Sequence, residues 1–229
     1  RAVTVALTGA ACPAAIDGDA VGFGQRFALA AGATLSLGPP PTGLRSYLSV
    51  AGGIDVPPVL GSRSTDLLSG IGPPRLSPGT LLPVGEPGPE EPASAVSGPR
   101  GRHDAPRPVL ELLPGPRTDW LADADALAST WTVSPDSNRV GIRLTGTVLD
   151  RSPSRLGAEL PSEPLVRGAV QLPPSGHPVI FGPDHPTTGG YPVVAVLTEA
   201  ASDRLAQCRP GEFVRLRWAL RDAAPAPRQ

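Results

Sequence analysis

Glycine and proline recur so often along this chain that they limit how long any element can be. There are 27 glycines and 31 prolines, and only three stretches free of both exceed ten residues: 117–134, 193–209 and 212–224. An average helix takes about 11–12 residues, so the chain has room for two or three helices at most. The apolar segments between these interruptions are short, and several alternate, as Val3, Val5 and Leu7 do in the opening RAVTVAL. Such alternation marks a half-buried strand. The expected fold class is mainly β, in two β-rich domains.

Over residues 1–85 the expected strands are RAVTVAL, AVGFGQRFAL, ATLSLG, LRSYLSVAGG and TLLPVG. GSRSTDLLSGIG, before the last of them, reads as one helical turn capped by Ser64 with Asp66 in its first turn. Residues 86–106 show no periodicity and are expected to be a flexible linker. The second domain, 107–222, holds the strands RPVLELLP, TWTVS, RVGIRLTGTVL, GAVQLP, PVIF, PVVAVLT and EFVRLRWAL. RTDWLADADALAST, capped by Thr118, and EAASDRLAQC are its expected helices. The last strand sets Val214, Leu216, Trp218 and Leu220 against Arg215 and Arg217, and residues 223–229 read as a disordered tail. AAGATLSL, SPGTLLPV and RPGEFVRL each carry a glycine just ahead of a strand, where a type II turn needs one.

Composition excludes several functions. With 40% hydrophobic and 18% charged residues and a net charge of -1, the chain suits a soluble globular protein. That charge gives no reason to expect nucleic acid or an anionic membrane as partner, and no apolar run reaches the ~18 residues of a membrane span. All 20 basic residues are arginine. Without lysine the chain cannot carry biotin or lipoate, form a pyridoxal Schiff base or use a phosphate-loop lysine. There is no methionine, and Arg1 opens inside an apparent strand; residues upstream, with any targeting signal, are expected to be missing. Cys12 and Cys208 lack metal spacing and are expected as buried, unpaired thiols, which fits a cytoplasmic location. His177 and His185 have no third ligand near them in sequence, so no metal is expected.

Three clusters could bind or act on a ligand. In SPDSNRVGIRLTG, Arg139, Gly141 and Arg143 share one strand face, with a residue that has no side chain between the two arginines. An anion could reach the backbone between them, though an ordinary solvent face would read the same. In GSRSTD, Arg63 and the hydroxyls of Ser62, Ser64 and Thr65 gather at the expected helix start, which suits an anion or a plain cap. In PDHPTTGGYPVVAVL, Thr187 to Gly190 could form a nest of N–H groups for an oxyanion. Tyr191 would be its wall, and Asp184 could orient an amide or a guanidinium.

YLSVAGGIDVPPVLGSRSTDLLSGIG, SPDSNRVGIRLTG, GAVQLPPSGHPVIFGPDHPTTGGYPV and LAQCRPGEFVRLR, in this order, resemble the biotin-dependent carboxyltransferase-like family called allophanate hydrolase subunit 2. This family includes the C subunit of 5-oxoprolinase and the regulator KipA. The resemblance implies a cyclophilin-like β-barrel in the second half. It implies a hetero-oligomer with a KipI-like B subunit. Together with an A subunit, this assembly would open 5-oxoproline to glutamate using ATP. Two alternatives come with it: the acceptor half of a carboxyltransferase acting on urea, with biotin on another chain, and a non-catalytic regulator of a KipI-like kinase inhibitor. Onto the matched positions it carries Arg139, Arg143 and Asp184 as catalytic residues. Arg63, Ser64, Thr65, Asn138, Thr187, Thr188, Gly189, Gly190 and Tyr191 are carried as substrate-binding residues. Family members also carry Gln-Asp-Leu-Gly-Arg-type and Ser-Gly-x-x-Asp motifs upstream, which are absent here.

Overall fold

In a computed structural model, residues 1–88 and 107–219 are described. The chain divides into two compact units, residues 1–104 and 105–229. Most of the expected 86–106 linker, Leu220 and the tail lie outside the described residues. Glu86 at the linker's start is held by Arg1, whose Nη1 lies 2.8 and 2.7 Å from its two carboxylate oxygens.

Unit 1 contains β1 (Val3–Gly9), β2 (Ala14–Ile16), β3 (Asp19–Ala20), β4 (Arg26–Leu29), β5 (Leu35–Leu37) and β6 (Ser46–Val50). β1 is the centre of an antiparallel sheet ordered β4-β1-β6, and β2 lies between β3 and β5 in a second. Val5 and Leu7 are buried as expected, but Ala6 between them is buried too and Val3 only partly, so the strand is covered on both faces at its middle. Three expectations fail here. AVGFGQRFAL is broken into β3 and β4, because Gly24 turns the chain with φ 76°. TLLPVG contributes only a bridge between Val84 and Ile54. The helical turn after Gly61 is absent: Asp66 closes a short loop instead, its Oδ1 accepting from Leu68 N at 2.9 Å and its Oδ2 from Ser69 Oγ at 2.6 Å. Ser64 has no helix to cap; its own N–H donates to Ser62 Oγ at 3.1 Å.

The expected type II turns are present. Gly32, Gly79 and Gly211 have φ of 81°, 84° and 86°. Each turn is closed by a bond from the following residue, Ala33 to Ala30, Thr80 to Ser77 and Glu212 to Arg209.

Unit 2 is a closed barrel. Its strands are β7 (Val109–Pro114), β8 (Thr130–Val133), β9 (Gly141–Thr145), β11 (Ala169–Gln171), β12 (Val179–Phe181), β14 (Val193–Leu197) and β15 (Phe213–Trp218). They close in the order β11-β12-β9-β8-β15-β7-β14. Every pairing is antiparallel except β15 with β7. Alternate residues fill the interior, among them Leu110, Leu112, Trp131, Ile142, Leu144, Val170, Ile180, Val214 and Leu216. A separate two-stranded ladder, β10 (Glu163–Pro164) with β13 (Thr188–Gly189), lies outside the barrel. Between β7 and β8 the expected Thr118-capped helix is reduced to a 3-10 turn, Thr118–Trp120, and α1 (Ala124–Leu127), capped by Asp123. The Thr118 hydroxyl turns away from the helix start: it shares its proton between Gly115 O at 2.8 Å and Val194 O at 2.7 Å, and it makes no capping bond. α2 (Glu199–Leu205) forms as expected, capped by Thr198.

Candidate functional site on the outer face of the barrel

Because strand neighbours in register point the same way, the ladder itself assembles this face. Val179 of β12 stands opposite Arg143 of β9 on one side and Gln171 of β11 on the other. Their sequence neighbours Ile142, Leu144, Val170, Leu172 and Ile180 belong to the interior, so Arg143, Val179 and Gln171 form one outward row. Strand spacing puts Arg143 and Gln171 about 10 Å apart along it. Arg143 is exposed, and its guanidinium makes no ion pair with any described residue. Gln171 is 4% exposed because β13 covers it. Its Nε2 donates to Tyr191 O at 2.9 Å.

The β9–β12 ladder continues past its ends into an ion pair. Asp184 N donates to Arg139 O at 3.2 Å, and Arg139 Nη2 lies 2.9 Å from Asp184 Oδ1. Asp184 is only 13% exposed in its side chain, and its Oδ2 is fully enclosed without a partner among the described residues. An enclosed acceptor left unpaired costs roughly 1–3 kcal/mol. The sequence pattern puts Arg139 on the strand face beside Arg143, but the strand begins at Gly141 and Arg139 sits on the bend before it. Asn138 makes that bend: its Oδ1 accepts from Val140 N at 2.9 Å and Gly141 N at 3.2 Å.

TTGG does not form the expected nest. Neither Gly189 nor Gly190 has positive φ, which a nest of successive N–H groups needs at alternate residues. Thr188 and Gly189 are extended instead, paired with Pro164 and Glu163. Gly189 is required by packing: a Cβ there would stand 2.7 Å from Gln171 Nε2 and 2.9 Å from Leu165 Cδ1. At Gly190 the nearest atom would be Leu160 O at 3.8 Å, so that side is open. Thr187, Thr188 and Tyr191 are exposed along the same edge.

Sequence reasoning misses Gln171 and the pair Arg117–Glu163. A glutamine facing outward from a strand of otherwise apolar residues is the available signal for the first. Arg117 and Glu163 lie far apart in sequence, and only the fold joins them. Arg117 Nη2 and Nε grip the two Glu163 oxygens, the Nε bond at 3.2 Å. This pair holds Glu163 below its ordinary value and Arg117 above its own, the hydrogen bond between them being the main cause.

Arg63, Ser64 and Thr65 belong to unit 1 and are largely committed there. Arg63 Nε donates to Val56 O at 2.8 Å and its Nη2 pairs with Asp55 at 3.1 Å. Thr65 Oγ1 donates to Pro73 O at 2.7 Å. The described residues hold no cluster of three or more His, Cys, Asp or Glu able to bind a metal. The α2 N-terminus is closed by the Thr198 side chain and carries Glu199, which repels phosphate, so this helix end offers no anion site. Cys12 and Cys208 are free and buried. No helix among the described residues is long and apolar enough to cross a membrane.

Known proteins resemble the chain over nearly all of its length, the barrel included. It is 43% identical to the C subunit of 5-oxoprolinase from Escherichia coli over 213 residues, covering 90% of this chain and 66% of that protein. It is 28% identical to urea amidolyase of Saccharomyces cerevisiae over 242 residues, covering 92% of this chain and 12% of the relative. The crystal structure of TTHA0988 matches with TM-score 0.80 and 34% identity, over 95% of this chain and 42% of that one. Thus the chain spans a little under two thirds of the E. coli relative. The family model described as carboxyltransferase domain, subdomain A and B, matches residues 1–218. From its first strand to its last, the chain belongs to that carboxyltransferase family.

Proposed function

We propose that this chain acts as the C subunit of an ATP-dependent 5-oxoprolinase, opening 5-oxoproline to glutamate with an A subunit and a KipI-like B subunit in the cytoplasm. The observation that carries this reading is the 43% identity to a protein of that name across 90% of the chain. The barrel's outer face supports it chemically. The Arg143 guanidinium can bind the substrate carboxylate, and the Arg139–Asp184 pair can orient the ring amide. Fixed charges of this kind act on oxygens that gain charge during ring opening. ATP is taken at the level of the complex, and no step here passes through it.

The urea amidolyase relatives favour a second reading, an acceptor domain that passes a carboxyl group to urea. Biotin would then arrive on another chain, since this one has no lysine. The test is to co-express the protein carrying this sequence with its neighbouring subunits and assay both substrates. ATP-dependent glutamate release from 5-oxoproline is expected. Carboxylation of urea with no release of glutamate would replace the first reading with the second.

A further inference from the structure

Gln171 is a buried polar side chain with half of its carboxamide unused. Tyr191 O can only accept, so the group 2.9 Å away must be the NH₂ end. The orientation is thereby fixed, and Oε1 faces elsewhere. That oxygen accepts from no described residue, yet it is not among the fully enclosed atoms without a partner. It is an acceptor held in one orientation, mostly dry but not fully enclosed, one strand from Val179 and two from Arg143, which has no ion-pair partner among the described residues.

We propose that Gln171 is a specificity-determining residue, whose Oε1 accepts the N–H of a small cyclic amide while Arg143 holds the same ligand's carboxylate across Val179. This rests on the substrate reading above and deepens it. A lactam carboxylate offers both groups within one small ring, whereas urea offers N–H donors and no carboxylate. Gly189 belongs to the same device, because only a residue without Cβ lets β13 lie on the carboxamide and hold it in place.

The test uses the assembled complex and two ligands of nearly equal shape: 5-oxoproline and the lactone in which a ring oxygen replaces its N–H. Wild-type complex is expected to bind the lactone about 10- to 100-fold more weakly, because two acceptors then face each other. Gln171→Met, of similar size, is expected to weaken 5-oxoproline by a similar factor and to erase the difference between the ligands. Equal binding of the two by wild type overturns the assignment even if the variant fails to fold, and so does a folded Gln171→Met that keeps the preference. If wild type binds neither ligand, the substrate reading itself falls with it.

Discussion

Arg143 and the two glycines of TTGG separate a ligand face from an ordinary strand face. Arg143 is exposed and has no ion-pair partner among the described residues, so Arg143→Ala should shift the melting temperature little, as surface changes do. In the complex it should cost about 1.5–3 kcal/mol of transition-state stabilisation, a ten- to hundred-fold fall in kcat/KM. Unchanged kinetics would make the strand face ordinary. The glycines should divide. Gly189→Ala meets Gln171 and Leu165 and should destabilise the fold by about 1–3 kcal/mol. Gly190→Ala has open space and should keep its melting temperature, losing activity only if a ligand approaches there. Cys208 gives an independent check on packing. Burial, and secondarily the charge of Glu212, pushes its thiol up to about 12. Native protein at pH 8 should therefore resist alkylation at Cys208 and take it up on unfolding; rapid native labelling would show the α2 end to be loose.

The β10–β13 ladder is two residues long on each side and depends on what pins it. Arg117 on the 3-10 turn side grips Glu163, directly opposite Gly189. Glu163 titrates below its ordinary 4.5 in the folded state. The unfolded chain therefore takes up the proton first as pH falls. The pair's stabilisation is full above about 4.5 and disappears as pH drops through the lowered value. Amide exchange at Leu165 and Gly189 should accelerate over that range, and Glu163→Gln should remove the dependence. Equal exchange rates in both proteins would show that the pair does not hold the ladder. At this scale the sequence is readable where alternation is strict, as in β15, and where a turn needs positive φ, as at Gly32 and Gly211. It misleads where side chains bond locally. Asp66 and Thr118 look like parts of helix starts, but one closes an Asx loop and the other donates back to Gly115 O. The row Arg143–Val179–Gln171 is illegible in sequence, because it follows from the register of three strands drawn from separate parts of the chain.

Across the whole molecule, the interior cluster of the barrel draws every member from residues 110–216. The unit 105–229 should therefore fold when expressed alone, with a cooperative thermal transition and slow exchange at Leu110, Leu144 and Leu216; a molten fragment would show that the barrel needs unit 1. Folding is not activity. The chain has no lysine, and it spans 66% of the E. coli 5-oxoprolinase component it resembles. Turnover should therefore need partner chains. The most direct measurement is ATP-dependent glutamate release from 5-oxoproline, assayed with this chain's protein alone, with its A and B partners alone, and with all three together. Only the complete set should turn over. Steady turnover by this protein alone, or undiminished turnover by the other two without it, would contradict its place as a necessary component of the enzyme.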